Sequence, residues 1–172
     1  WLENKPIEGP GFVEENVKYL AERFGVDIEL EEMTEEEQYR YRTYRAYADA
    51  AKLIANPTFG DYRRFKREIK RRGWKIGKAA DSLIGTVDYK AFREALKGMG
   101  YSAKFQDEID LGRPDIFDTT NMIFTICDEW GRAVGFAARN LDWNGTGSKY
   151  VNQTTTGLKC NIYQKGRRLY NI

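Results

Sequence analysis

Apolar positions recur at three- and four-residue intervals over the first 112 residues and in near-continuous runs from residue 120 onward. The first pattern predicts helices, the second buried strands. A helix over about 11–24 carries Val13, Val17, Leu20 and Phe24 on one face and stops at Gly25. Val26 to Leu30 reads as a short extended piece. Thr34 and Glu37 form a capping box, each side chain satisfying a free amide at a helix start. That helix runs to about Ala55, with Tyr39, Ala46, Ala50 and Leu53 as a narrow seam and Pro57 as its stop. A third helix, 61–72, buries Tyr62, Phe65 and Ile69, exposes Arg63, Arg64, Arg67, Lys70 and Arg71, and is capped by Gly73. A fourth, 88–98, aligns Phe92, Ala95, Leu96 and Met99. A short helix starts at Ser102, whose hydroxyl caps it, and ends near Gly112.

Met122–Cys127 and Ala133–Asn140 are apolar at nearly every position, which predicts strands buried on both faces, joined by a hairpin turn at Glu129-Trp-Gly-Arg132. Asp142–Ser148 is a polar loop with Gly145 and Gly147, and Lys149–Gln153 and Cys160–Gln164 read as further short strands. The fold class is α+β, a helical N-terminal half followed by a small antiparallel or mixed sheet. Residues 1–10, with Pro6, Gly9 and Pro10, read as a linker; 11–172 form one unit, mainly helical over 11–112 and mainly strands over 120–172.

A chain of 172 residues hides roughly two thirds of its unfolded surface and so carries a real core. No apolar run approaches the roughly 20 residues of a membrane span, and no signal peptide is visible, which predicts a cytoplasmic protein of a bacterium or an infected host. The start at Trp1 rather than Met reads as an excised piece of a longer protein. Two cysteines, Cys127 and Cys160, and no histidine exclude a self-contained four-ligand zinc site; both lie in apolar stretches and read as free thiols. Asp107, Glu108 and Asp110 read as a solvated helix face rather than a metal site, because no further ligand is nearby.

Charge changes the picture more. The net charge is only +2, but residues 1–37 hold twelve acidic and three basic side chains. Residues 61–78 hold nine basic against two acidic, and 129–172 seven against two, the latter interleaved with aromatics. A basic, aromatic-bearing region opposite an acidic one points to a polyanion, and the aromatics point to single-stranded nucleic acid.

Three blocks at the C-terminal end sharpen this. They are Ile123-Phe-Thr-Ile-Cys-Asp-Glu-Trp-Gly-Arg-Ala-Val-Gly-Phe-Ala-Ala-Arg-Asn-Leu141, then Ser148-Lys-Tyr-Val-Asn152, then Tyr163-Gln-Lys-Gly-Arg-Arg-Leu-Tyr170. In order and spacing they resemble the catalytic core of bacterial-type (DnaG-like) DNA primases, whose pattern is F-P-I-x-D-x-x-G-x-x-x-G-F-x-x-R, K-Y-x-N and K-G-R-x-L-Y. Phe12 to Gly25, Arg71-Arg-Gly-Trp74 and Tyr89 to Tyr101 extend the resemblance more loosely to about residues 10–172. The chain departs from the pattern at Asn121 and Thr125, where the family has an arginine and a proline, and at Ala137-Ala138, where it has glycines. Such drift suggests a phage or divergent member.

The resemblance implies the N-terminal subdomain of the primase catalytic core. The whole enzyme would be a nucleotidyltransferase, a DNA-dependent RNA polymerase making short primers for replication. Its implied partners are single-stranded DNA template, ribonucleotides, the RNA–DNA primer hybrid and a replicative helicase. Mg2+ or Mn2+ would be held by a Toprim half that follows in the family, and Zn2+ by a zinc ribbon that precedes; neither is in this chain, so the piece alone is expected to be inactive and to hold no catalytic residue. Arg139, Lys149, Tyr150, Asn152, Lys165 and Arg167, with Arg72 as a further member, would form a basic ridge for template and nucleotide phosphates. The residue chemistry agrees. Arg139 ends a strand, which aims a planar fork at phosphate. Lys neutralises phosphate, and Tyr stacks on bases. In an extended segment Tyr150 and Asn152 share a face, and Gly166 between Lys165 and Arg167 lets the backbone approach a ligand. The alternatives are a non-catalytic single-strand-binding module using the same groups, or a helicase-binding replication module using the acidic N-terminal helices.

Overall fold

The computed structural model describes residues 16, 19–21, 23–25, 33–56, 62–154, 158–160 and 162. The expected linker, the extended piece at 26–30 and both Lys165 and Arg167 lie outside the described residues. The chain divides into two units, 1–36 and 37–172. In the first, the described residues between Asn16 and Phe24 are helical, and Gly25 takes φ +61°, in line with the expected helix and its glycine stop.

Helix α1 (Glu35–Ala55) starts directly after Thr34 and belongs to the second unit from Glu37 on. Glu, Arg and Ala give it high helix propensity, and it buries Thr43, Ala46, Tyr47, Ala50, Ala51 and Ile54. The buried stripe is thus wider than the expected seam, and Tyr47 and Ile54 carry it, while Tyr39 and Leu53 sit at its margin. Then follow α2 (Arg63–Arg71), α3 (Ile76–Asp81), β1 (Ile84–Gly85), α4 (Tyr89–Gly98), α5 (Ala103–Glu108), β2 (Asn121–Cys127), β3 (Ala133–Asn140) and β4 (Tyr150–Asn152). Neither α3 nor β1 was expected. Both are too short to show a period, and Gly77 weakens the first. Caps follow the sequence: Asp88 accepts from Ala91 N at 2.9 Å and Ser102 from Phe105 N at 3.2 Å. Met99 is a correction. It was expected in the buried stripe of α4 but is 49% exposed, because the helix ends at Gly98 and the chain turns away. No helix among the described residues is long and apolar enough to cross a membrane.

The four strands form an antiparallel sheet in the order β1-β2-β3-β4. The turn at 128–132 is held by Asp128, whose Oδ1 accepts from Trp130 N at 3.1 Å and Arg132 N at 2.8 Å. Its register pairs Ile126 with Gly135 but Cys127 with Ala133, so Val134 is an extra residue and the ladder shifts there.

One sheet face, with Ile123, Phe136 and Ala138, packs on α1, α4, α5 and the 109–117 segment around Tyr47, Phe92, Leu96 and Phe117. Buried Gln153 ties this core together: its Oε1 accepts from Phe136 N at 2.8 Å, and its Nε2 donates to Asp110 O at 3.0 Å. The other face, with Met122, Phe124 and Ile84, is covered by Tyr62, Phe65 and Ile69 of the α2 region and by Ala79. Burying a large apolar side chain contributes roughly 1.5–3 kcal/mol, so Phe65 and Ile69 anchor this otherwise cationic helix to the sheet.

Candidate nucleic-acid interface

Cross-strand register decides which candidate residues meet. Met122, Arg139 and Tyr150 pair across β2, β3 and β4, and Ala137 pairs with Asn152. Paired residues share a face and side chains alternate, so Arg139, Tyr150 and Asn152 all project to the side that α2 covers. Met122 is part of the α2-side core, which puts Arg139 at that core's edge. Tyr150 is 54% exposed, and Asn152 is half-buried, with its backbone carbonyl accepting from Arg113 Nη1 at 3.2 Å.

Arg139 is not a surface cation. Its side chain is only 12% exposed, and Nη1 donates to the carboxylate of Glu68, itself 11% exposed. Helical spacing brings two more guanidiniums to the same carboxylate. Arg71, at i+3, donates from Nε and Nη2 at 2.7 and 2.8 Å, and Arg72, at i+4, from Nε at 2.7 Å. Three cations therefore surround one anion, a local excess of positive charge at the C-terminal end of α2. The Arg71 hydrogen bonds, helped by Arg72 and Arg139 against the cost of burial, hold the Glu68 carboxyl down at about 2. The Nε of Arg139 is buried and has no partner among the described residues.

The end of α2 shapes this cluster. Gly73, at φ +70°, donates to Lys70 O at 3.0 Å, and Trp74 N donates to Ile69 O at 3.0 Å, a Schellman closure that requires the left-handed glycine. It folds Trp74 back so that the Arg72 guanidinium lies 5.0 Å from the ring centroid, with Trp74 42% exposed. On the same side, Arg64 Nε meets Asp142, just past β3, at 3.3 Å.

Lys149 is held differently. Asn140 N donates to its carbonyl at 3.0 Å, closing the 141–149 loop beside the strand end, and its ammonium lies 4.9 Å from the Trp143 ring centroid. The structure thus brings Arg72, Arg139, Tyr150 and Asn152 to one side of the sheet, with Lys149 on the adjoining loop. Glu68, Arg71, Trp74 and Trp143 join the site without having been expected there. The i+3 and i+4 spacing from Glu68 to Arg71 and Arg72 was a readable signal; its reach to Arg139, 71 positions away, was not.

The donor set does not fit a metal centre. Among the described residues no group of three or more acidic or cysteine side chains is placed to hold an ion. Asp107 pairs with Arg93, Glu108 accepts from Tyr39 at 3.0 Å, and Asp110 accepts from Thr154 N at 2.8 Å. Cys127 and Cys160 are free and half-buried.

The family model described as DNA primase catalytic core, N-terminal domain, matches residues 58–172. A DNA primase of Chlamydia muridarum is 26% identical over an alignment 168 positions long that covers 92% of this chain and 27% of that protein. Among solved structures, a DnaG primase catalytic domain bound to single-stranded DNA aligns with a TM-score of 0.57 at 23% identity, over 77% of this chain and 44% of that one. The RNA polymerase domain of Mycobacterium tuberculosis primase DnaG, in complex with a double-stranded DNA oligomer with a 6-nucleotide overhang, aligns with a TM-score of 0.58 at 21% identity, over 73% and 41%. The chain therefore spans about a quarter of the curated relative and about two fifths of these structures. At these identities the structures establish a shared fold.

Proposed function

Because the chain belongs to the DNA primase catalytic core N-terminal domain family, we propose that it is the template-holding part of an enzyme that makes short RNA primers for DNA replication. Arg139, Tyr150 and Asn152 bind single-stranded template and nucleotide phosphates on the α2 side of the sheet, with Arg72 at one flank and Lys149 on the adjoining loop. Lys165 and Arg167 belong to the same set by motif. The observation that carries the reading is the shared face: Tyr150 and Asn152 of β4 project on the same side as Arg139 of β3, itself one of three guanidiniums around one carboxylate.

The division of labour follows from the side chains. Guanidiniums neutralise and orient phosphate through paired hydrogen bonds, and the exposed Tyr150 and Trp74 offer faces on which bases stack. The phenol hydroxyl and the Asn152 amide add directional bonds. Phosphoryl transfer to a growing primer also needs divalent metal, and the described acidic residues form no cluster placed to hold it. This chain by itself accordingly binds template without making primers. In the whole enzyme its further partners are ribonucleotides, the RNA–DNA hybrid and a replicative helicase. The relatives solved with DNA support the template assignment.

Fluorescence anisotropy with a labelled oligo(dT) tests this reading. The expected dissociation constant is on the order of micromolar or weaker, and affinity falls steeply with salt as phosphate contacts release counterions. Arg139→Ala weakens binding. Tight binding that ignores salt, or an Arg139→Ala variant that binds as the parent does, refutes the assignment.

A further inference from the structure

At the opposite end of β3 from Arg139, roughly 20 Å along the strand, a cleft of about 420 Å³ opens between α1 and the β2–β3 turn. We propose that this cleft docks a peptide segment of a partner protein in which one or two large aliphatic or aromatic side chains are flanked by carboxylates.

The apolar part of the lining is aliphatic, formed by Ala48, Ala51, Leu83 and Ala133. It can take an apolar side chain, and it offers no side-chain donor or acceptor. The rim is cationic, formed by Arg45, Lys52 and Arg132. Two of these cations pair with acids, but exposure separates the signs. Asp128, paired with Arg132 at 2.8 Å, is 0% exposed against 49% for the arginine. Asp49, 3.6 Å from Lys52, is 26% exposed against 77% for the lysine. The charged side chains that line the cleft are thus all basic and more exposed than the acids they pair with, complementary to carboxylates on either side of a buried apolar anchor.

Leu83 adds an independent sign. It takes φ +53°, one of two non-glycine residues in the left-handed region among the described residues. That conformation is costly for leucine. It is held by Leu83 N donating to Ala80 O at 2.9 Å and Thr125 N donating to Leu83 O at 3.2 Å, and it sets the leucine in the cleft wall. Nucleic acid is the weaker occupant. The Arg132 guanidinium lies over both Tyr44, at 4.7 Å, and Trp130, at 4.8 Å, so these rings already hold a cation that a stacking base would have to displace.

The test uses a labelled synthetic decapeptide with two leucines among aspartates, titrated at low salt, beside oligo(dT). Two variants are made: Ala48→Phe, which fills the cleft from an exposed helix position, and Arg45→Glu/Lys52→Glu, which reverses the rim. The peptide is expected to bind the parent and to bind each variant about tenfold more weakly, while oligo(dT) affinity and melting temperature stay unchanged. A peptide with lysines in place of the aspartates should fail to bind. Three outcomes overturn the proposal: no binding of the acidic peptide, equal binding of the basic one, or an unchanged affinity in Ala48→Phe. If the rim reversal weakens oligo(dT) and leaves the peptide alone, the cleft is a nucleic-acid surface instead.

Discussion

The Arg139 guanidinium and the Glu68 carboxylate are paired across 71 positions of sequence, and the same carboxylate holds Arg71 and Arg72. A carboxylate presents two oxygens to a guanidinium fork much as a phosphate does. Glu68 therefore occupies, within the protein, the place that the proposed template phosphate would take among these arginines.

Replacing Glu68 with glutamine removes that internal competitor and keeps the side chain's size. Oligo(dT) affinity at low salt should rise about three- to tenfold, and the slope of log affinity against log salt should steepen by roughly 0.7, the equivalent of one further phosphate contact. An unchanged affinity and slope would place the binding surface beyond the field of this cluster.

Arg139→Ala should do two things at once. It weakens oligo(dT) binding by about tenfold, and because the side chain is only 12% exposed it also costs about 1–2 kcal/mol of folding stability, read by urea unfolding. Arg64→Ala removes a pair whose members are 42% and 45% exposed and should cost well under 1 kcal/mol. Equal effects of the two changes would contradict the burial argument.

The low pKa of Glu68 gives a pH signature. The carboxyl ionises at about 2 in the folded chain against an ordinary 4.5, so the folded state favours the charged form. Its stabilising contribution is complete above pH 4.5 and is lost as pH falls from 4.5 toward 2. Melting temperatures of the parent and Glu68→Gln should differ at neutral pH and converge across that window. A constant difference down to pH 2 would mean that the carboxylate contributes through packing rather than charge.

Gly85 lies so close to α1 that a methyl group there would overlap the carbonyl of Ile54. Gly85→Ala should therefore force α1 away from β1 and cost about 1–3 kcal/mol or more. The measurement is a lowered urea midpoint, with Gly77→Ala, where nothing stands within 4 Å, as the control that stays near the parent.

What the chain announced in advance was local. The Ser102 cap, the Gly73 stop, the hairpin turn and the two long strands depend on neighbours a few residues apart, and all are present. What escaped was set by distance or brevity. β1 exists because Gly85 permits close approach to α1, a fact about two segments rather than one. Arg139 read as a fork aimed at phosphate alone because its partner lies on a helix that periodicity presents as a separate basic surface. The face shared by Tyr150 and Asn152 was legible from alternation alone; their alignment with Arg139 needed the register.

The extra residue at Val134 works as an expansion joint. It sits between the turn at 128–132 and the regular ladder that pairs Met122 with Arg139 and Arg139 with Tyr150. A strand pairing that slips by one residue sends every side chain to the opposite face. Here an odd residue near the turn is taken up at the joint before it can reach the strand end. Insertions and deletions in the hairpin can therefore accumulate over evolutionary time while Arg139 keeps facing α2, and the turn is free to diversify at the cleft without misaiming the far end of the same strand.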